Sequence, residues 1–282
     1  MTHKTLIDTD TLRRHLGDPG WRVVDCRFDL ADPGAGEAAW AQAHVPGAVY
    51  AHLERDLSGP TGPDTGRHPL PDPEDLADWL GAHGIGNDTQ VVACDADSGA
   101  FAARLWWLLR WLGHDAVAVL DGGLAAWRAG GHPVDADAPA PAPAGFRPRP
   151  RDAAMRASAQ ELEDAHGPLV VDARSAERFR GEHEPIDPVA GHVPGARNRP
   201  FPSNLDAHGH WRSPQALRAE WARLLGTAEL AGVVHMCGSG VTACHNALAM
   251  EHAGLRGSRL YAGSWSEWIT APGRGVATGS DD

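Results

Sequence analysis

The feature that most constrains how this chain folds is that it repeats itself once. Val23-Val24-Asp25-Cys26-Arg27 returns 147 residues later as Val170-Val171-Asp172-Ala173-Arg174, and His44-Val45-Pro46-Gly47-Ala48 returns after 148 as His192-Val193-Pro194-Gly195-Ala196. Near the end of each half, Leu120-Asp121-Gly122-Gly123 with Trp127 matches Tyr261-Ala262-Gly263-Ser264 with Trp268, 141 residues on. Order is kept and the spacing drifts slowly, as in a tandem duplication. The length agrees, because 282 residues suit two domains of ordinary size, each able to bury its own core.

Between the copies, residues 136–152 are rich in proline and alanine and end in an Arg-Pro-Arg-Pro-Arg run. Such composition favours extended, semi-rigid chain over packed structure. It predicts a linker joining a domain at 1–135 to a second at 153–282. Within each half, short β-branched runs (21–24, 90–94, 116–120; then 169–171, 233–236, 258–261) alternate with helical patterns, the clearest over 73–83, 101–112, 214–225 and 243–253. The expected fold is therefore α/β: two tandem domains, each a mostly parallel sheet with helices on both faces. In such sheets the chemistry sits at the carboxyl ends of the strands.

Composition excludes several function classes. The chain is 42% hydrophobic and 22% charged, without an apolar run approaching the roughly 20 residues of a membrane helix. The segment after Met1 lacks the apolar stretch of a signal peptide, so the expectation is a cytoplasmic protein without membrane contact. A net charge of −12 without a basic stripe argues against nucleic acid as partner. The four cysteines (Cys26, Cys94, Cys237, Cys244) form no CxxC pair and the sixteen histidines no HExxH, so neither a metal nor a cofactor is expected. Trp106, Trp107 and Trp111 read as helix packing in the core.

One segment carries chemistry: Val233-Val234-His235-Met236-Cys237-Gly238-Ser239-Gly240-Val241-Thr242, then a helix. A strand delivers Cys237 to its carboxyl end, and a short loop turns directly into a helix N-terminus. Gly238 and Gly240 permit positive φ, which lets successive N–H groups curl into a nest around an anionic sulfur, and the helix dipole adds positive potential. That arrangement favours the nucleophilic thiolate. Thr242 is placed to cap the helix or to donate its hydroxyl. The repeat separates catalysis from packing: aligning 91–95 on 233–237 sets Asp95 against Cys237, whereas His44 and His192 recur in both copies and read as structural. A Cys-x5-Arg phosphatase loop is disfavoured, because Ala243 stands where the phosphate-binding arginine would be.

The tandem repeat, the Gly-His-Val-Pro-Gly-Ala motif at 191–196 and Cys-Gly-Ser-Gly-Val-Thr at 237–242 resemble the two-domain rhodanese family over nearly the whole chain. The resemblance implies a catalytically silent first domain and a second that carries sulfur as a persulfide on Cys237. Sulfur would come from a small-molecule donor and pass to a thiol, thioredoxin-like or cyanide acceptor. The loop is similar to the 3-mercaptopyruvate branch; thiosulfate enzymes usually carry Cys-Arg-Lys-Gly-Val-Thr. In the mercaptopyruvate branch Ser239 acts with an acid and a histidine of the first domain, and here Glu54 and His68 are the candidates. The resemblance also implies that Gly238, Gly240, Val241 and Thr242 line the donor site and that Arg178 grips the donor. A second arginine usually follows in Glu-Pro-Arg, but this chain has Ile186 there, with Arg197 or Arg199 as possible substitutes. The alternatives are a thiosulfate sulfurtransferase proper, or a persulfide carrier or sensor docking a protein partner.

Overall fold

The computed structural model describes residues 2–164 and 167–280. The chain divides into two compact units, each discontinuous in sequence: residues 1–59, 70–150 and 207–211, and residues 60–69, 151–206 and 212–282.

In the first unit the elements are β1 (Leu6–Ile7), α1 (Thr9–Arg14), β2 (Trp21–Asp25), α2 (Ala35–Gln42), β3 (Val49–Tyr50), α3 (Pro73–Ala82), β4 (Gln90–Cys94), α4 (Ala102–Trp111), β5 (Val117–Leu120) and α5 (Gly123–Ala129). The strands pair in parallel in the order β1-β5-β4-β2-β3. All five residues of β4 are buried, as an apolar run between two neighbours must be when helices cover both faces. Helix α3 begins where Asp72 accepts the Glu74 N–H (2.8 Å) and Pro73 supplies a pre-set φ, and it buries Leu76, Ala77 and Leu80. Helix α4 buries Trp106, Trp107 and Trp111, which confirms them as core. Residues 138–150 carry neither helix nor strand, yet they are tied down: Ala144 N–H donates to Gly81 O and Arg149 N–H to Leu112 O, both at 2.9 Å, and Phe146 is buried.

The second unit contains α6 (Asp152–Met155), α7 (Ala159–Leu162), β6 (Leu169–Asp172), α8 (Ala176–Phe179), β7 (Arg197–Asn198), α9 (Pro214–Leu225), β8 (Val233–Met236), α10 (Ala243–His252), β9 (Arg259–Leu260) and α11 (Ser264–Trp268). Its sheet, also parallel, runs β7-β6-β8-β9, matching β3-β2-β4-β5 of the first unit. Where the first unit adds β1, the second has only a bridge between Arg156 and Leu260. Helix α10 is buried from Ala243 to Met250, and α9 packs Leu217, Trp221 and Leu225 inward.

The repeated motifs serve the fold. Asp25 takes the Arg27 guanidinium, whose Nη2 also donates to Ala43 O; Asp172, Arg174 and Gly191 O repeat this in the second unit, each with a 2.8 Å bond to the carbonyl. His44 and His192, the next residue in each copy, donate their backbone N–H to Asp135 O and Ala277 O at 2.8 Å. Their Nδ1 atoms meet Trp40 O and Phe179 O at 2.7 Å, and their rings stack on the same two residues. Both histidines therefore lock loops in place.

Candidate active site

Cys237 leaves the carboxyl end of β8, flanked by β6 and β9, and is 2% exposed. Gly240 turns the chain at φ 78° and aims its N–H at Cys237 Sγ, 3.1 Å away. Only glycine fits there, because a Cβ would stand 2.2 Å from Ala262 O. Gly238, in contrast, does not adopt positive φ; its missing side chain makes room for guanidinium groups, since a Cβ would lie 3.0 Å from Arg67 Nη2 and 3.4 Å from Arg178 Nη2. Val241 and Ser239 are buried in the loop. Thr242 is the N-cap of α10, but its backbone is already helical and its hydroxyl does not cap the helix, which corrects the expected capping role. Gly240→Ala is expected to cost at least about 1–2 kcal/mol through the left-handed backbone alone. It should also slow alkylation of Cys237 by displacing the N–H from sulfur; an alkylation rate equal to wild type would dissociate this amide from thiol activation.

The loop is anchored from α11. Cys237 O accepts the Trp265 N–H (3.0 Å), Gly238 O accepts the Ser266 N–H (2.9 Å), and the Cys237 N–H donates to Ser264 Oγ (3.1 Å). Ser264 adopts φ 54°, the only positive φ outside glycine among the described residues. Its counterpart in the first copy, Gly123, has φ 56°. The serine accepts a strained backbone, and in return its hydroxyl holds the reactive cysteine's amide and donates to Tyr261 O (3.0 Å). Reading motifs along the sequence missed Ser264, although Gly122-Gly123 becoming Gly263-Ser264 is a visible signal.

The first unit repeats this architecture around a carboxylate. Asp95 O and Ala96 O accept the N–H groups of Leu124 and Ala125, as Cys237 O and Gly238 O do from α11. The Asp95 carboxylate accepts from Gly99 and Phe101 at 2.9 Å and from Ala102 at 3.2 Å. The same strand-loop-helix thus holds a carboxylate by three N–H groups in one copy and the Cys237 sulfur by the Gly240 N–H in the other. Burial, reinforced by the charge of Asp25, pushes the Cys26 and Cys94 thiols well up from their ordinary range. The Cys244 thiol donates to Gly240 O at 3.3 Å.

His68 Nδ1 lies 2.7 Å from Ser239 Oγ, and both residues are buried. Although His68 precedes the predicted linker by many residues, it belongs to the second unit. Arg67 N–H donates to Ser266 Oγ (3.1 Å), and Gly66 lies so close to Gly263 that a Cβ would stand 2.4 Å from its carbonyl oxygen. Glu54 is placed differently. It is exposed in the first unit, where its N–H meets His52 Nδ1 at 3.2 Å, while Cys237, Ser239 and His68 are all in the second. His235, two residues before Cys237, is buried in the core and pushed by that burial down to about 3, so it is neutral at ordinary pH.

Arg178 projects from α8 into a knot of charge. Its Nε and Nη2 bond Glu184 at 3.0 and 2.8 Å, and Nη2 reaches Asp187 Oδ2 at 3.1 Å. Asp187 Oδ1 accepts from Arg67. Burial would raise the Glu184 carboxyl, but the Arg178 fork and the N–H groups of Asp187 and Ile186 outweigh it and hold it below its usual range. For Asp187 burial wins, aided by the nearby charge of Glu184, and the carboxyl is raised despite the two arginines. Neither expected substitute for the absent second arginine is available: Arg197 donates to Leu224 O, and Arg199 bonds Asn204 and Glu220 and lies over the Trp221 ring.

The rhodanese-like domain family matches the chain twice, over residues 8–130 and 155–271. The chain belongs to the rhodanese family. Over 284 residues it is 49% identical to a Pseudomonas aeruginosa protein named "Probable 3-mercaptopyruvate sulfurtransferase", covering 99% of this chain and 100% of that one. It is also 35% identical to the thiosulfate sulfurtransferase of Bos taurus, over 95% of this chain and 92% of that one. Among solved structures, the 3-mercaptopyruvate sulfurtransferase from Leishmania major superposes with a TM-score of 0.83 at 35% identity, covering 94% of this chain and 74% of that one. The fold expected from the sequence, tandem rhodanese-like domains with parallel sheets flanked by helices, is the one found. No helix among the described residues of this rhodanese is long and apolar enough to cross a membrane.

Proposed function

We propose that this rhodanese transfers sulfur from 3-mercaptopyruvate, through a persulfide on Cys237, to a thiol, thioredoxin-like or cyanide acceptor. The observation that carries the donor assignment is the Ser239–His68 contact in the loop that bears Cys237. The Cys237 thiolate, held by the Gly240 N–H, attacks the donor sulfur, and the carbon–sulfur bond breaks with its electron pair leaving on carbon. That carbanion is the enolate of pyruvate, and the proton brought by the donor's thiol completes pyruvate. Ser239 hydrogen-bonded to His68 is a path by which that proton moves from sulfur to carbon. Thiosulfate has no carbon leaving group and needs no such relay, so a paired serine and histidine favour the mercaptopyruvate reading. The 49% identity to a relative named for that activity supports it independently. Glu54 is kept as a candidate acid whose contribution is to be measured alongside the others.

A donor comparison tests the assignment, with mercaptopyruvate and thiosulfate each paired with cyanide. The expected result is a higher specificity constant for mercaptopyruvate. Ser239→Ala should lower turnover with mercaptopyruvate roughly 10²-fold, the low end for general acid–base assistance. The thiosulfate rate should change far less. Equal losses with both donors would remove the relay, and a preference for thiosulfate in wild type would make the protein a thiosulfate sulfurtransferase.

A further inference from the structure

We propose that the first unit carries a site for a small organic cation of the guanidinium type. It lies in a cavity beside the edge strand β3, in a place that the second unit closes with a guanidinium of its own.

The duplication supplies the comparison. Val49 and Arg197 are equivalent, since each pairs with the second valine of the repeated Val-Val-Asp run, Val24 in one copy and Val171 in the other. In the second unit the Arg197 side chain leaves β7 and donates to Leu224 O, near the end of α9. Counting from Pro73 and Pro214, the first residues of α3 and α9, His83 stands where Leu224 stands. In the first unit valine is too short to make that crossing, and a cavity of about 400 Å³ opens, bordered by Val49 and His83 alike. That volume lies in the range of small-ligand pockets.

The walls suit the same chemistry. Trp40 of α2, Trp79 of α3 and Tyr50 line the cavity, and the faces of such rings attract cations. Both indoles are braced by a stacked histidine, His44 on Trp40 at 4.8 Å between ring centres and His83 on Trp79 at 4.1 Å, so the walls are preformed. Two carboxylates, Glu37 and Asp56, share the lining. Asp56 is fixed, with its side chain 9% exposed and its Oδ2 accepting the His52 N–H at 2.7 Å. Arg55 already spans the pair, 3.1 Å from Asp56 and 3.3 Å from Glu37, but its side chain is 55% exposed and that of Glu37 49%. An ion pair this open to water is weakly held. An arriving cation therefore releases Arg55 to solvent and keeps both carboxylates neutralised. A neutral ligand of the same shape leaves the carboxylates to Arg55, and this difference separates the two in solution.

The test is titration of the full chain with propylguanidinium, which is the Arg197 side chain as a free molecule, and with propylurea, its neutral isostere. The indole N–H resonances of Trp40 and Trp79 report binding. Propylguanidinium should saturate with a Kd on the order of 1 mM, and propylurea should bind at least about tenfold more weakly. Two substitutions act with opposite sign: Glu37→Gln should weaken propylguanidinium roughly threefold, and Arg55→Gln should strengthen it by a similar factor because the competing cation is gone. Val49→Arg should remove binding, since the first unit then closes its cavity as the second does. If Val49→Arg does not fold, the Glu37 and Arg55 arms decide. Equal affinity for propylurea, no saturation by propylguanidinium within about tenfold of the expected Kd, weaker binding in Arg55→Gln, or wild-type binding in a folded Val49→Arg overturns the proposal.

Discussion

Cys237→Ser is expected to abolish sulfur transfer, lowering kcat by a factor on the order of 10⁴ or more while leaving the fold intact. The size follows from the chemistry. A hydroxyl is not ionised near neutral pH and cannot hold sulfane sulfur, so both half-reactions lose their carrier. The intact fold follows from geometry: Gly240 N–H stands 3.1 Å from Sγ, and a serine oxygen accepts the same hydrogen bond. The companion measurement is mass spectrometry after incubation of wild type with mercaptopyruvate. One additional sulfur should appear on the peptide containing Cys237, with Cys26 and Cys94 unmodified because burial keeps their thiols protonated. Sulfur found on either of those two in folded protein would refute the mechanism. Residual turnover of Cys237→Ser above a few per cent would do the same.

Much of the fold was legible because the duplication supplied its own control. Each predicted helix over 73–83, 101–112, 214–225 and 243–253 agrees with α3, α4, α9 and α10 to within one residue at either end. Helices α3 and α9 announce themselves through the caps Asp72-Pro73 and Ser213-Pro214, and α4 and α10 through their apolar residues. The two-residue strands β1, β3 and β7 are too short to show a period, and all three lie at sheet edges where pairing on one side defines them, whereas β9 falls within the run at 258–261. The nucleophile's loop was legible for a similar reason: the second copy keeps the strand and turn but replaces Asp95 with Cys237.

What stayed hidden is long-range. That Gly66, Arg67 and His68 pack on α11 and the Cys237 loop depends on contacts across nearly 200 residues, which no local pattern encodes. For the same reason the sequence points to Arg197 and Arg199, close to Arg178, as substitutes for the absent second arginine, although both are held by partners around α9. Gly238 was expected to be glycine for its φ and is glycine for the space it leaves. Backbone freedom can be guessed from a loop sequence, but the volume of an incoming side chain cannot.

Arg174→Ala is expected to cost about 3–5 kcal/mol of stability in the second unit, the range for leaving one partner of a buried ion pair behind. The Arg174 side chain is 1% exposed and that of Asp172 fully buried. Burial disfavours the guanidinium's charge, but Asp172 and Glu184 outweigh it and keep Arg174 charged. Alanine would strand the Asp172 carboxylate, leave Gly191 O without its 2.8 Å donor and empty the space over the Trp265 ring. Asp172→Ala with Arg174→Ala should cost less than the two single losses added, because no charge is then left unpaired. The matching cycle at Asp25 and Arg27 should show coupling of the same sign, since the first unit repeats the clamp with Ala43 O in place of Gly191 O. Denaturation of each variant, followed by the loss of native Cys237 alkylation kinetics for the second unit, reads the effect where it arises. Coupling near zero in both cycles would mean that the Asp-x-Arg repeat holds its loops by shape alone, and that its charge is incidental to the fold.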